Sequence, residues 1–121
     1  MRILIAGAMA LLALSAPAAP AQSFPVRPVR VVVPFSPGGA TDIVTRIVAQ
    51  RLNEAWGQTV VVDNRAGADA NIGTELGSRG QPGGHTLLMA SAAFAVNGAT
   101  RKVNYDRLKS FAWVGMLGSG P

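Results

Sequence analysis

Val29-Arg30-Val31-Val32-Val33-Pro34-Phe35-Ser36-Pro37-Gly38-Gly39-Ala40-Thr41-Asp42 is the stretch that decides the fold. Val29 to Phe35 is β-branched and nearly continuous in apolar residues, the pattern of a strand covered on both faces, as in a parallel sheet. Ser36 to Gly39 is a turn by composition. Thr41 or Asp42 then offers an N-cap. Ile43, Val44, Ile47, Val48, Leu52 and Trp56 recur at helical spacing, with Arg46, Gln50, Asn53 and Glu54 mostly opposite them. The spacing predicts an amphipathic helix over 42–56 that turns those apolar residues and Trp56 to the core, and Gly57 supplies a stop.

Outward from this unit the same alternation continues. Thr59 to Val62 reads as a second buried strand, Asp63 to Ala70 as a loop, and Asn71 as the cap of a short, glycine-weakened helix reaching about Arg79. Gly80 to Gly84 is a turn and His85 to Ala90 a third strand. Ser91 to Thr100 holds a loop and a short helix, Tyr105 to Leu108 a polar turn, and Ala112 to Leu117 a fourth strand candidate. The order β-α-β-α-β-(α)-β implies a parallel α/β sheet with right-handed crossovers. Ligands of such sheets sit beyond the carboxyl ends of the strands, which is where the Ser36–Gly39 turn lies.

The N-terminal segment has its own logic. Met1-Arg2 is a short positive region, Ile3 to Leu14 an apolar run, and Ala19-Pro20-Ala21 fits the small-x-small rule. We read residues 1–21 as a secretory signal peptide cut before Gln22, with Ala16-Pro17-Ala18 as a second cut site. The run is too short to span about 30 Å of hydrocarbon. Residues 22–121 then form one small exported domain in a periplasm-like compartment.

Composition removes several function classes. The 121 residues include no Cys and one His, which excludes a disulfide scaffold, a Cys-based zinc site, a thiol nucleophile and a multi-histidine metal centre. No metal or cofactor is expected. Net charge is +5, but the basic residues are scattered and aromatics are few, so a nucleic-acid groove is disfavoured against a basic surface that suits anions.

The Phe35–Asp42 segment carries the chemistry. A glycine pair lets backbone approach a ligand, and the helix that follows presents unsatisfied N–H groups at its positive end. Together they suit a carboxylate or phosphate. The pattern is neither a Walker loop nor a dinucleotide fingerprint. The alternative is a plain tight turn with Thr41 or Asp42 as cap. Asp42 also poses a difficulty, because an ionised carboxylate beside a ligand carboxylate is repulsive. Arg65, after Asn64, could grip a carboxylate with its guanidinium fork or simply brace the loop. Ser36, Asp42 and His85 as a hydrolytic triad would require a nucleophile elbow, and the G-x-S-x-G context is missing.

These residues resemble the substrate-binding proteins of tripartite tricarboxylate transporters, the Bug family. The resemblance runs from about Phe24 to Gly118. It rests on Pro25 to Phe35, Pro37-Gly38-Gly39 with Thr41-Asp42, Val60 to Arg65 with Gly67, Asn71 to Glu75, Gly84 to Leu88 and Tyr105 to Phe111. It implies a non-enzymatic, two-lobed periplasmic binding protein of the type II, Venus-flytrap-like kind that closes on a small organic acid and delivers it to membrane transporter subunits. The substrate-binding positions it implies are Phe35, Ser36, Pro37, Gly38, Gly39 and Asp42 after the first strand, and Ser91 and Ala92 after the third. Asn71 matches the framework. Departures are Ala40, Ala66, Asp69 in a stretch the family fills with glycine, His85, and Asn97-Gly98.

Family members are about three times as long, so the expectation is an incomplete parallel-sheet α/β lobe with the second lobe absent. Capture of a di- or tricarboxylate would then be compromised at this length, and part of the sheet would stay open. Two other readings are carried forward: an exported basic module that binds polyanions, and a Ser36-dependent hydrolase.

Overall fold

The computed structural model describes residues 23–118, so the signal-peptide reading of residues 1–21 lies outside the described residues. Three strands, β1 (Val29–Val33), β2 (Val60–Asn64) and β3 (Thr86–Leu88), alternate with three helices, α1 (Ala40–Trp56), α2 (Asn71–Ser78) and α3 (Ala92–Thr100). The sheet order is β2-β1-β3 and both pairings are parallel. Val29 pairs with Val60 and Arg30 with Thr86 in register. The parallel α/β class is as the sequence implies, with three strands where it offered four.

β1 is the centre of the molecule. Val29, Val32 and Val33 are fully buried and Val31 nearly so. Each buried valine contributes about 1.5–3 kcal/mol relative to exposure. Val29, Val31, Val60 and Ala49 form a core to which Leu52, Trp56, Val62, Leu87 and Met89 add. Trp56 stands in the core as expected and meets the Phe24 ring edge-on at 5.5 Å. Gly57 ends α1 in a left-handed conformation and donates its N–H to the Asn53 carbonyl.

The inward face of α1 differs from the one its apolar pattern predicts. Asp42, Thr45 and Ala49 are its buried residues, with Leu52 and Trp56 half-buried along the same stripe. Ile43, Val44 and Ile47 are exposed. Ala49 is small enough to bring the helix close to the sheet. Asp42 turns inward because Asn64 at the end of β2 and the Gly38 N–H offer it hydrogen bonds, and the Thr45 hydroxyl is satisfied by the Thr41 carbonyl of its own helix, neither of which an apolar periodicity registers.

α2 approaches the sheet by a different route. A Cβ on Gly73 would lie 2.6 Å from the Pro34 Cα and 2.7 Å from the Arg65 carbonyl, and one on Gly77 3.2 Å from Leu88. The glycines that weaken this helix are therefore what lets it pack. Asn71 is its first residue and not its cap; the capping position is Ala70, and the Asn71 side chain accepts from the Tyr105 hydroxyl at 3.2 Å.

Strand limits shift by a few residues, and one expected strand is absent. Residues 112–117 adopt no regular secondary structure, with Trp113, Val114, Met116 and Leu117 exposed. An apolar run gains ladder hydrogen bonds only beside a partner strand. Here Trp113 instead sets its ring edge-on to Phe94 at 5.5 Å. β2 and β3 are the two edges of the sheet.

Candidate functional site

Because the strands are parallel and each is followed by a helix, the helix N-termini gather along the carboxyl edge of the sheet. α1 emerges there from an exposed loop. Pro34 is buried, Phe35 is half-buried, and Ser36, Pro37, Gly38, Gly39 and Ala40 are exposed. Gly38 has φ +85°, a left-handed conformation that glycine adopts without penalty. Gly39 occupies the N-cap position in an extended conformation, and no side chain caps the helix. The expectation that Thr41 or Asp42 caps α1 is thus corrected. The helix starts at Ala40, two or three residues earlier than either cap would place it, so both side chains lie inside it. The amides of its first turn have no partners within the helix.

Asp42 spends its carboxylate on the loop behind it. Oδ2 accepts from the Gly38 N–H at 2.8 Å and from Arg46 Nε at 2.9 Å, and Oδ1 accepts from Asn64 Nδ2 at 2.9 Å. The Arg46 hydrogen bond, then those of Gly38 and Asn64, hold its pKa down to about 2. The Asn64 amide also donates to the Phe35 carbonyl at 3.1 Å, and Arg46 Nη2 donates to Asn64 Oδ1 at 3.1 Å. The end of β2 therefore fixes the start of the loop, and Asp42 fixes its middle. Two consequences correct the sequence reading. The Gly38 N–H faces Asp42 and not an incoming anion, and Asp42 braces the turn with both oxygens already engaged. Sequence inspection missed Arg46 in this role, although its position one helical turn after Asp42 was a signal for an ion pair.

The other candidates separate. Arg65 Nε donates to Asp63 Oδ1 at 2.9 Å, so it braces its own loop. Arg30 joins the same carboxylate from the central strand. Burial pushes the Asp63 pKa up, but the two guanidiniums overcome it and hold the carboxyl below its ordinary range. Ser91 caps α3, its hydroxyl accepting from the Ala93 N–H at 3.2 Å, while Ala92 is exposed at the first turn. These two residues lie at the carboxyl end of β3, on the same edge as the glycine loop.

His85 is buried at the opposite end, just before β3, with its ring 4.9 Å from that of Phe24. It cannot serve Ser36 as a base, and the triad is excluded by topology. Arg30, Arg46, Arg51, Arg65, Arg79 and Arg101 are each paired with a carboxylate, which disperses the basic charge a polyanion would need. Among the described residues no group of three or more His, Cys, Asp or Glu is placed to hold a metal ion, and no helix is long and apolar enough to cross a membrane. A hollow of about 510 Å³ lies apart from the glycine loop, between the end of α3 and the 103–110 segment. Asp106 in its lining is kept ionised by the N–H groups of Leu108 and Lys109, so it is ill suited to a carboxylate ligand.

Residues 44–121 match the family model described as the tripartite tricarboxylate transporter family receptor. The chain belongs to this family. Among similar proteins, Protein BugT of Bordetella pertussis is 40% identical over 104 residues, which are 84% of this chain and 32% of BugT. A solved structure of a periplasmic transporter matches with a TM-score of 0.68 and 43% identity, covering 72% of this chain and 30% of that one. MatC of Rhodopseudomonas palustris, solved with bound malate, matches with a TM-score of 0.62 and 35% identity over 73% of this chain and 31% of its own. The receptor family is one of non-enzymatic periplasmic binding proteins, as the resemblance implies. The present chain spans about a third of the length of these relatives.

Proposed function

We propose that this receptor chain contributes the carboxylate-facing edge of the first lobe of a periplasmic binding protein that captures a small di- or tricarboxylate for a tripartite tricarboxylate-type transporter. The observation that carries this reading is the exposed, uncapped start of α1 behind the Ser36–Gly39 loop. The Gly39, Ala40 and Thr41 amides supply the donors, and the α3 N-terminus at Ala92 flanks them on the same edge. Malate bound to a relative supports the ligand class. Residues 1–21 act as a cleavable export signal in this reading, and the membrane subunits of the transporter are the partners. Well-formed sites bury about 70–90% of a small ligand's surface, and in this reading the Gly39, Ala40 and Thr41 amides line one side of such a site.

The test is titration of the isotope-labelled chain with malate, followed by amide chemical shifts. The expected result is a saturable response concentrated at Gly39, Ala40, Thr41 and Ala92. A response confined to the 103–110 segment, or none at 100-fold excess, refutes the assignment.

A further inference from the structure

Asp42 presents the proposed site with a contradiction. Its carboxylate is ionised, and it stands in the first turn of the helix whose amides would receive a ligand carboxylate. An uncompensated charge there would repel the ligand. The fold needs the carboxylate nonetheless, because it secures the Gly38 N–H in the turn. The contacts around it form a closed ring of three side chains. Arg46 Nε donates to Asp42, Arg46 Nη2 donates to Asn64, and the Asn64 amide donates back to Asp42. Asp42 is buried while Arg46 is half-exposed. The acidic charge is thus turned inward and the basic charge lies on its outer side, toward solvent.

We infer that Arg46 is a specificity-determining residue of the carboxylate site, cancelling the Asp42 charge so that the loop accepts an anion, with Asn64 as the positioning residue that keeps the two in register. The inference rests on the proposed carboxylate site. Arg46 touches no ligand in this account and acts through Asp42. Its guanidinium suits the task because two of its nitrogens reach two different residues at once, which a lysine ammonium does with less geometric constraint.

A double-mutant cycle tests this, with malate as the probe and amide shifts of Ala40 and Thr41 as the readout. Arg46→Gln should weaken the response about three- to tenfold, the range expected for exposing one like charge near the surface. Asp42→Asn, which removes the repelling charge and leaves Arg46, should strengthen the response, and the Asp42→Asn/Arg46→Gln double variant, in which neither charge remains, should return to within about twofold of wild type. Arg46→Lys should recover most of the loss, and raising the salt concentration should narrow the gap between wild type and Arg46→Gln. The Asp42 carboxyl, followed by carbon-detected titration, should rise from about 2 in Arg46→Gln. A purely structural role predicts a double variant at least as impaired as Arg46→Gln, and that result overturns the inference alone. An Asp42 titration unmoved by Arg46→Gln overturns it as well. A wild-type chain whose amides ignore malate overturns the carboxylate site itself, and the inference with it.

Discussion

The chain leaves β1 through residues 34–39 and leaves β2 through residues 65–70, and each turn delivers the backbone to the start of a helix. In the first, the left-handed residue is Gly38, at φ +85°. In the second, Gly67 is followed by Ala68, Asp69 and Ala70 at φ 45°, 55° and 69°. Left-handed backbone costs a residue with a Cβ about 1–2 kcal/mol, so the second turn carries strain that the first avoids. Its stability comes from its surroundings. The Asn71 N–H donates to the Ala68 carbonyl at 3.2 Å, and the N–H and hydroxyl of Thr74 both reach the Ala70 carbonyl. From α3, the buried Asn97 amide donates to the Asp69 carbonyl and Arg101 pairs with the Asp69 carboxylate at 3.4 Å. The first loop holds itself with residues of its own helix and of β2. The second requires α3 to be docked.

The sharpest way to break both loops at once is Gly73, whose missing side chain leaves room for Pro34 of one and the Arg65 carbonyl of the other. Backbone atoms at 2.6–2.7 Å have little room to yield, so Gly73→Val should cost more than about 3 kcal/mol. Urea titration should show loss of a cooperative transition. Asn97→Ala strikes the second loop alone. It removes a buried amide from the Asp69 carbonyl, and about 2 kcal/mol should be lost, with faster hydrogen exchange at Asn71 and Thr74 while the Gly38 amide stays protected.

Glycine exchanges read the contrast directly. Gly38→Ala should cost about 1–2 kcal/mol from backbone strain alone, since open space surrounds the position. Gly39→Ala, at φ −77° with its Cβ 3.7 Å from the Ser36 carbonyl, meets no strain or clash and should lose only the N-cap preference for glycine over alanine, about 0.5 kcal/mol in thermal melts. In the second loop the sign reverses. Ala70→Gly relieves strain and should stabilise by up to about 1 kcal/mol after the entropic cost of glycine.

The smallest effect separates the loops by pH. The Asp42 carboxyl titrates near 2 when folded, below its ordinary 3.8. Its contribution is therefore complete above the unfolded value and disappears as pH falls from about 4 to about 2. Melting temperature should decline more steeply over that window in wild type than in Asp42→Asn. Equal slopes would show that the first loop does not depend on this charge.

Much of the fold was legible because valine-rich strands and glycine turns are local signals. VRVVV announced a central parallel strand, and Gly57 announced the end of α1. The inner face of α1 was not legible. Its pattern of Ile43, Val44 and Ile47 is apolar, and the decision to turn Asp42 inward is made by partners on β2 and in the preceding loop, while Thr45 is satisfied within the helix by the Thr41 carbonyl. The strand expected at residues 112–117 failed for a similar reason, since strand propensity becomes a strand only where another edge is adjacent. At the site, the Phe35–Asp42 segment was visible as a loop and helix start. The direction of the Gly38 amide and the ring joining Asp42, Arg46 and Asn64 depend on a residue 22 positions away, which spacing within the segment cannot reveal.

The glycine face of α2 also constrains how this sequence can vary. With Gly73 against Pro34 and Gly77 against Leu88, the helix has no side chain to trim at these two contacts when its neighbour enlarges. A bulkier residue at position 88 has no compensating reduction available across the contact. Substitutions there must be absorbed by tilting the whole helix, which would also move Asn71 and the turn before it. Variation should therefore accumulate on the solvent side of α2, and its inner face and the strand positions it covers should change together or not at all.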